Sequence, residues 1–109
     1  MNRFIIKTLL AGLCFALLVP LSVFADVEIN ETNFPDPNFR AYLLAQDYGQ
    51  DGVITEDEIA GITKMDVSSR YINSLEGIQY FTALIYLECY INELTSLDVS
   101  GCTALTGLD

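Results

Sequence analysis

The feature that most constrains this chain is a repeat of 21 to 22 residues in its second half. Thr82-Ala83-Leu84 recurs as Thr103-Ala104-Leu105, and Leu87 recurs as Leu108, a step of 21. One step earlier the offset is 22: Met65 aligns with Leu87, Val67 with Cys89, Ile72 with Leu94 and Leu75 with Leu97. A unit this short cannot bury its apolar face alone, so neighbouring units must stack to make a core.

The clearest copy runs from Leu84 to Leu94 and reads L-x-x-L-x-L-x-x-N-x-L, with Cys89 in place of one leucine. Ile62, Met65, Val67 and Ile72 trace a poorer copy with Arg70 where the asparagine belongs, and Leu105 and Leu108 open a third. This period and phase belong to leucine-rich repeats. The expected architecture is an α/β solenoid with short parallel strands on its concave face, preceded by a helix–loop–helix cap. Strand alternation sends Leu87 and Cys89 inward and Tyr86, Glu88 and Tyr90 outward. Asn92 is expected to turn its amide onto backbone groups of the following turn. Leu94, Leu97, Val99 and Leu105 return inward.

The N-terminus has a different character. Arg3 and Lys7 precede an apolar run from Thr8 to Phe24, and Val23-Phe24-Ala25 offers small residues where a signal peptidase reads. A secretory signal peptide over residues 1–25 follows, cleaved after Ala25, with no membrane span afterwards. A helical cap over 26–61 and repeats over 62–109, the last incomplete, complete the expected organisation.

Charge and residue usage narrow the function. The whole chain carries a formal −10. Arg3 and Lys7 lie in the signal and no acid does, so 26–109 keeps Arg40, Lys64 and Arg70 as its only cations and stands near −12. Such a surface repels nucleic acid and suits cations or basic partners. There is no histidine, which removes the commonest general base and zinc ligand. Cys89 reads as a core thiol and Cys102 as a connecting-side thiol, too far apart for a disulfide. Catalysis is not expected.

Asp36-Pro37 marks a helix start, with Asp36 as N-cap and Pro37 at the first position; Phe39, Leu43 and Leu44 then follow to about Gln46. Thr55 to Glu58 is a capping box opening a second helix that Gly61 ends. The stretch between has the length and order of an EF-hand loop. Asp47 stands at position 1, Asp51 at 5, Gly52 at the sharp turn, Val53 at 7 through its carbonyl, Thr55 at 9 and Glu58 at 12. Gly49 departs from that pattern, because position 3 normally supplies a side-chain oxygen. Two readings stand here: a weak calcium site, and a helix–loop–helix that survives without an ion.

With these residues in view the chain resembles a family. Ile29 to Arg40, the Asp-rich loop and the repeats are similar to secreted leucine-rich-repeat proteins of anaerobic gut-type bacteria. Ile72-Asn73-Ser74-Leu75-Glu76-Gly77-Ile78 through Leu84 resembles the internalin style of repeat. The resemblance implies a curved solenoid used for attachment or partner binding, normally with more repeats and a C-terminal cap or wall anchor. The chain therefore reads as an N-terminal fragment; if it stands alone, its open C-terminal edge invites self-association.

The expected function is a secreted or cell-surface adhesion module that binds protein or glycan on a cell surface. Tyr86, Glu88, Tyr90, Lys64 and Asp66 are the expected contact residues, because aromatics on a rigid sheet bring area at low entropic cost. The alternative for these five is a solvated strand face. An alternative for the whole is a calcium-stabilised structural cap of a larger secreted protein, including the targeting region of an extracellular hydrolase.

Overall fold

The computed structural model describes residues 26–109. The expected signal segment and its cleavage site lie outside the described residues.

Strand β1 (Val27–Glu28) pairs antiparallel with β2 (Val53–Ile54), in register Val27 to Ile54. Between them lie helix α1 (Pro37–Ala45) and a 3-10 turn at Asp47–Gly49. Helix α2 (Glu56–Gly61) follows. Strands β3 (Lys64–Asp66), β4 (Tyr86–Glu88) and β5 (Gly107–Leu108) then form a parallel sheet in the order β3-β4-β5. A second 3-10 turn, Ile78–Tyr80, lies on the return path between β3 and β4.

The sheet register reproduces the sequence period. Met65 pairs with Leu87 and Leu87 with Leu108, steps of 22 and 21. Parallel neighbours need a crossover, and the return path supplies it within one repeat.

Alternation fixes what is inside. Met65, Val67, Leu84, Leu87 and Cys89 are buried, and Lys64, Asp66 and Tyr90 are exposed. From the return path Ile72, Leu75, Ile78 and Phe81 complete the core, while Leu94, Leu97, Val99 and Leu105 pack against it half-buried. Cys89 and Cys102, the cysteines among the described residues, are free and buried, and the Cys102 thiol donates to the Ile78 carbonyl at 3.3 Å. Burial pushes both thiols above their ordinary range, with the Asp109 charge adding to the effect at Cys89, which leaves little thiolate for chemistry.

Helix α1 begins where its signals place it, with Asp36 as N-cap and Pro37 leading. Its inward face is Phe39, Tyr42 and Leu43; Leu44 is instead 43% exposed. The 3.6-residue period explains the difference, since positions 39, 42 and 43 share a stripe and 44 falls outside it. The Phe34 ring meets Phe39 edge-on at 5.5 Å and Tyr80 at 5.8 Å, joining the helical segment to the repeat core.

Candidate functional site: the outward sheet face and its supports

The five expected contact residues come together on one face. Lys64, Tyr86 and Gly107 occupy one row across the strands, and Asp66 lies beside Glu88 in the next. Asp109 continues that second row, its carbonyl accepting from the Cys89 N–H at 2.8 Å. Three carboxylates therefore stand side by side.

Tyr86 does not stand free. Its hydroxyl donates to Asp109 Oδ2 and Lys64 Nζ lies 6.0 Å from its ring centroid. The ring crosses Gly107 so closely that a Cβ there would fall inside its van der Waals shell. The glycine in β5 is thus the space the tyrosine occupies. The bond to Asp109, with a smaller contribution from burial, pushes the phenol up to about 12. Asp66 accepts the Ser68 N–H at 3.0 Å, which holds its carboxyl below the usual range. Tyr90, two residues on, is 49% exposed.

Asn92 locks the edge beside this face. Its Oδ1 accepts from Arg70 N at 3.0 Å and Ile72 N at 3.1 Å, and its Nδ2 donates to Val67 O at 2.9 Å and Cys89 O at 3.1 Å. The expectation that it serves the following turn is corrected. Three of its four partners belong to the preceding repeat, because parallel stacking puts that repeat's turn directly alongside.

The preceding repeat has Arg70 where an asparagine belongs, and other residues take over. Asp36 Oδ1 accepts from Asn38 N and Phe39 N, capping α1, while Oδ2 accepts from Asn73 N at 2.7 Å and Ser74 N at 3.1 Å. Asn38 Nδ2 donates to Tyr71 O at 2.9 Å. The Arg70 guanidinium lies 4.8 Å over the Tyr42 ring. Burial alone would raise the Asp36 carboxyl. The backbone donors Asn73, Phe39, Ser74 and Asn38 outweigh it and hold the group below the usual range.

The EF-hand-like loop is built for other contacts. Glu58 Oε1 accepts the Thr55 N–H at 2.8 Å and Thr55 Oγ1 accepts the Glu58 N–H at 3.2 Å, so the twelfth-position carboxylate closes the capping box of α2. Asp51 accepts from Val53 N at 3.1 Å. Val53 itself belongs to β2 and pairs with Glu28. Gly49 is buried, and a Cβ there would collide with the Leu43 carbonyl at the end of α1. The side-chain oxygen of position 3 therefore has no room. Among the described residues no three acidic, cysteine or histidine side chains gather as a metal would need. With Glu58 bonded to the Thr55 N–H and no room for a side chain at Gly49, Asp47, Asp51, Val53, Thr55 and Glu58 would have to rearrange to hold a calcium ion.

The parallel strands at 21- and 22-residue steps, with an asparagine closing the turn, define a leucine-rich-repeat fold. Within that class the chain is homologous to Internalin J of Listeria monocytogenes serotype 4b (strain F2365), with 36% identity over 71 residues. That match takes in 64% of this chain and 8% of the length of Internalin J. The solved functional domain of InlJ from L. monocytogenes, which includes a cysteine ladder, superposes with TM-score 0.64 at 30% identity, covering 80% of this chain and 19% of that one. Internalin InlF of strain 4b F2365 gives 0.65 at 30% identity, over 76% of this chain and 25% of its own. Internalin C2 of the same strain gives 0.66 at 25% identity, over 83% and 41%. No protein-family model matches the chain. The protein is internalin-like in sequence and fold. Among the described residues no helix is long and apolar enough to cross a membrane.

Proposed function

We propose that the chain is the N-terminal part of an exported, surface-exposed binding module whose contact surface is the outward face of β3, β4 and β5. The observation that carries this reading is the fixed position of Tyr86. Held over Gly107 by Asp109 and beside Lys64, it presents an aromatic surface that need not be ordered on contact. Tyr90 extends that surface, and the Asp66–Glu88–Asp109 row favours a partner carrying positive charge. In a longer protein further repeats would continue the face as a curved solenoid. The reading is one of binding, not catalysis: both described thiols are buried.

The test is an array of extracellular proteins and glycans probed with the full chain and with its Tyr86→Ser/Tyr90→Ser variant. Loss of a protein signal in the variant supports the reading. An unchanged signal moves the contact surface elsewhere, and a signal confined to glycans changes the partner class.

A second reading concerns the N-terminal segment and rests on Asp36. Its carboxylate closes the first repeat where an asparagine is missing, so residues 26–61 act as a structural cap on the repeat stack. Calcium plays no part in that reading.

A further inference from the structure

The edge next to the sheet face is built on left-handed backbone. Ser69, Tyr71 and Ile91 have positive φ of 58°, 57° and 54°. Ser69 and Ile91 are 22 residues apart, and the Ser69 N–H bonds the Tyr90 carbonyl at 3.0 Å, so they hold equivalent places in successive repeats. The repeat imposes the left-handed turn there. It does not impose isoleucine.

A β-branched side chain in this region is a steric outlier, and Asn or Gly fills it at lower cost. Burial elsewhere in the fold offsets such strain, but Ile91 is 74% exposed and Tyr71 is 75% exposed. Both flank Asn92, whose Oδ1 accepts the N–H groups on either side of Tyr71. Tyr90 adjoins them. Tyr71, Tyr90 and Ile91 thus form an exposed apolar edge on a rigid frame, two of them in left-handed backbone with side chains that burial does not hold.

Charge identifies the occupant. The edge borders the row of Asp66, Glu88 and Asp109, and Glu93 is exposed beside it. Against this charge residues 26–109 set three cations, of which only Arg70 adjoins the edge, near enough to Asp66 to offset part of its charge. Arg40 donates to the Phe34 and Pro35 carbonyls, Lys64 lies over Tyr86 and Arg70 over Tyr42. A second copy would bring the same negative charge and be repelled.

We infer that Tyr71, Tyr90 and Ile91 form a docking edge for a protein segment with an apolar centre flanked by lysines or arginines. The edge adjoins the sheet face described above and shares Tyr90 with it, whereas Tyr71 and Ile91 are not part of that face.

Two measurements test it. Ile91→Asn in the full chain removes the apolar group and suits the left-handed turn, so its Tm should rise; a fall would show that Ile91 serves the fold, and the inference would be overturned. The isotope-labelled full chain is then titrated with a hexapeptide of Leu-Phe flanked by two lysines on each side. Amide shifts should centre on residues 69–72 and 90–93, weaken with salt, and require at least tenfold more peptide in Ile91→Asn and Tyr71→Asn. A glutamate-flanked peptide should leave the edge unshifted. Equal response to both peptides, no response at the edge, or a response unchanged in the two variants would each contradict the inference. Tyr86→Ser, which disables the sheet face, should leave these shifts in place, so the two readings fail separately.

Discussion

Asp36 accepts hydrogen bonds at once from Phe39 in its own helix and from Asn73 in the first repeat, 37 residues away. One buried carboxylate thereby ends two sets of backbone donors that have no ladder partner. Asp36→Asn keeps one acceptor and turns an amide toward two N–H groups. It should cost about 2–3 kcal/mol, read by urea denaturation of the full chain at neutral pH.

The same residue sets an acid sensitivity. Its carboxyl titrates below the ordinary range in the folded chain and near 3.9 in the unfolded one. Between those values the unfolded state binds the extra proton, so stability falls as pH drops. The contribution is complete above about pH 4 and lost as pH falls through the folded-state value. Exposed Asp66 and Asp98 shift in the same direction, so the comparison that isolates Asp36 is wild type against Asp36→Asn. The stability gap between them should narrow from pH 6 to pH 2.5.

Asn92 serves four backbone groups, three of them in the preceding repeat. Asn92→Ala should destabilise by about 2–4 kcal/mol, because it leaves partly buried donors and acceptors unpaired. Asn92→Asp should not restore the loss, since a carboxylate would face the Val67 and Cys89 carbonyls. Thermal melts of the two variants check this.

Tyr86 reports on the sheet face directly. Its phenol is pushed up to about 12, chiefly by the bond to Asp109. Asp109→Asn should bring the phenolate transition back toward the ordinary value near 10, measured by ultraviolet absorbance of the full chain. Gly107→Ala should have a similar effect by displacing the ring.

The loop from Asp47 to Glu58 gives a prediction about calcium. With Glu58 committed to Thr55 and no room for a side chain at Gly49, millimolar calcium should leave the Tm unchanged. Thr55→Ala should cost about 1 kcal/mol whether or not calcium is present. A calcium-dependent rise in Tm that Asp47→Ala abolishes would show that the loop rearranges to take the ion.

The repeat was legible because its period is written in the apolar positions themselves: Met65, Leu87 and Leu108 align in sequence and in the sheet. Both helix starts were legible too, since N-cap chemistry is local. What escaped is long-range. Asp36 looks like any N-cap, and its second pair of donors comes from 37 and 38 residues further on. The motif marks Asn92 but not the neighbour it serves, because direction across a sheet is not encoded in one repeat. The acidic loop carries most of an EF-hand's residue types, yet only packing against Leu43 reveals why Gly49 must stay small. The left-handed turns at Tyr71 and Ile91 leave no mark in the sequence at all.

Asp36 makes the N-terminal helices and the repeats one folding unit. Amide hydrogen exchange on the full chain tests it most directly, comparing wild type with Asp36→Asn. The expected result is faster exchange at Asn73 and Ser74 together with faster exchange at Val67, Leu87 and Cys89 in the sheet. Exchange that rises only at residues 38, 39, 73 and 74, with the sheet unchanged, would contradict it.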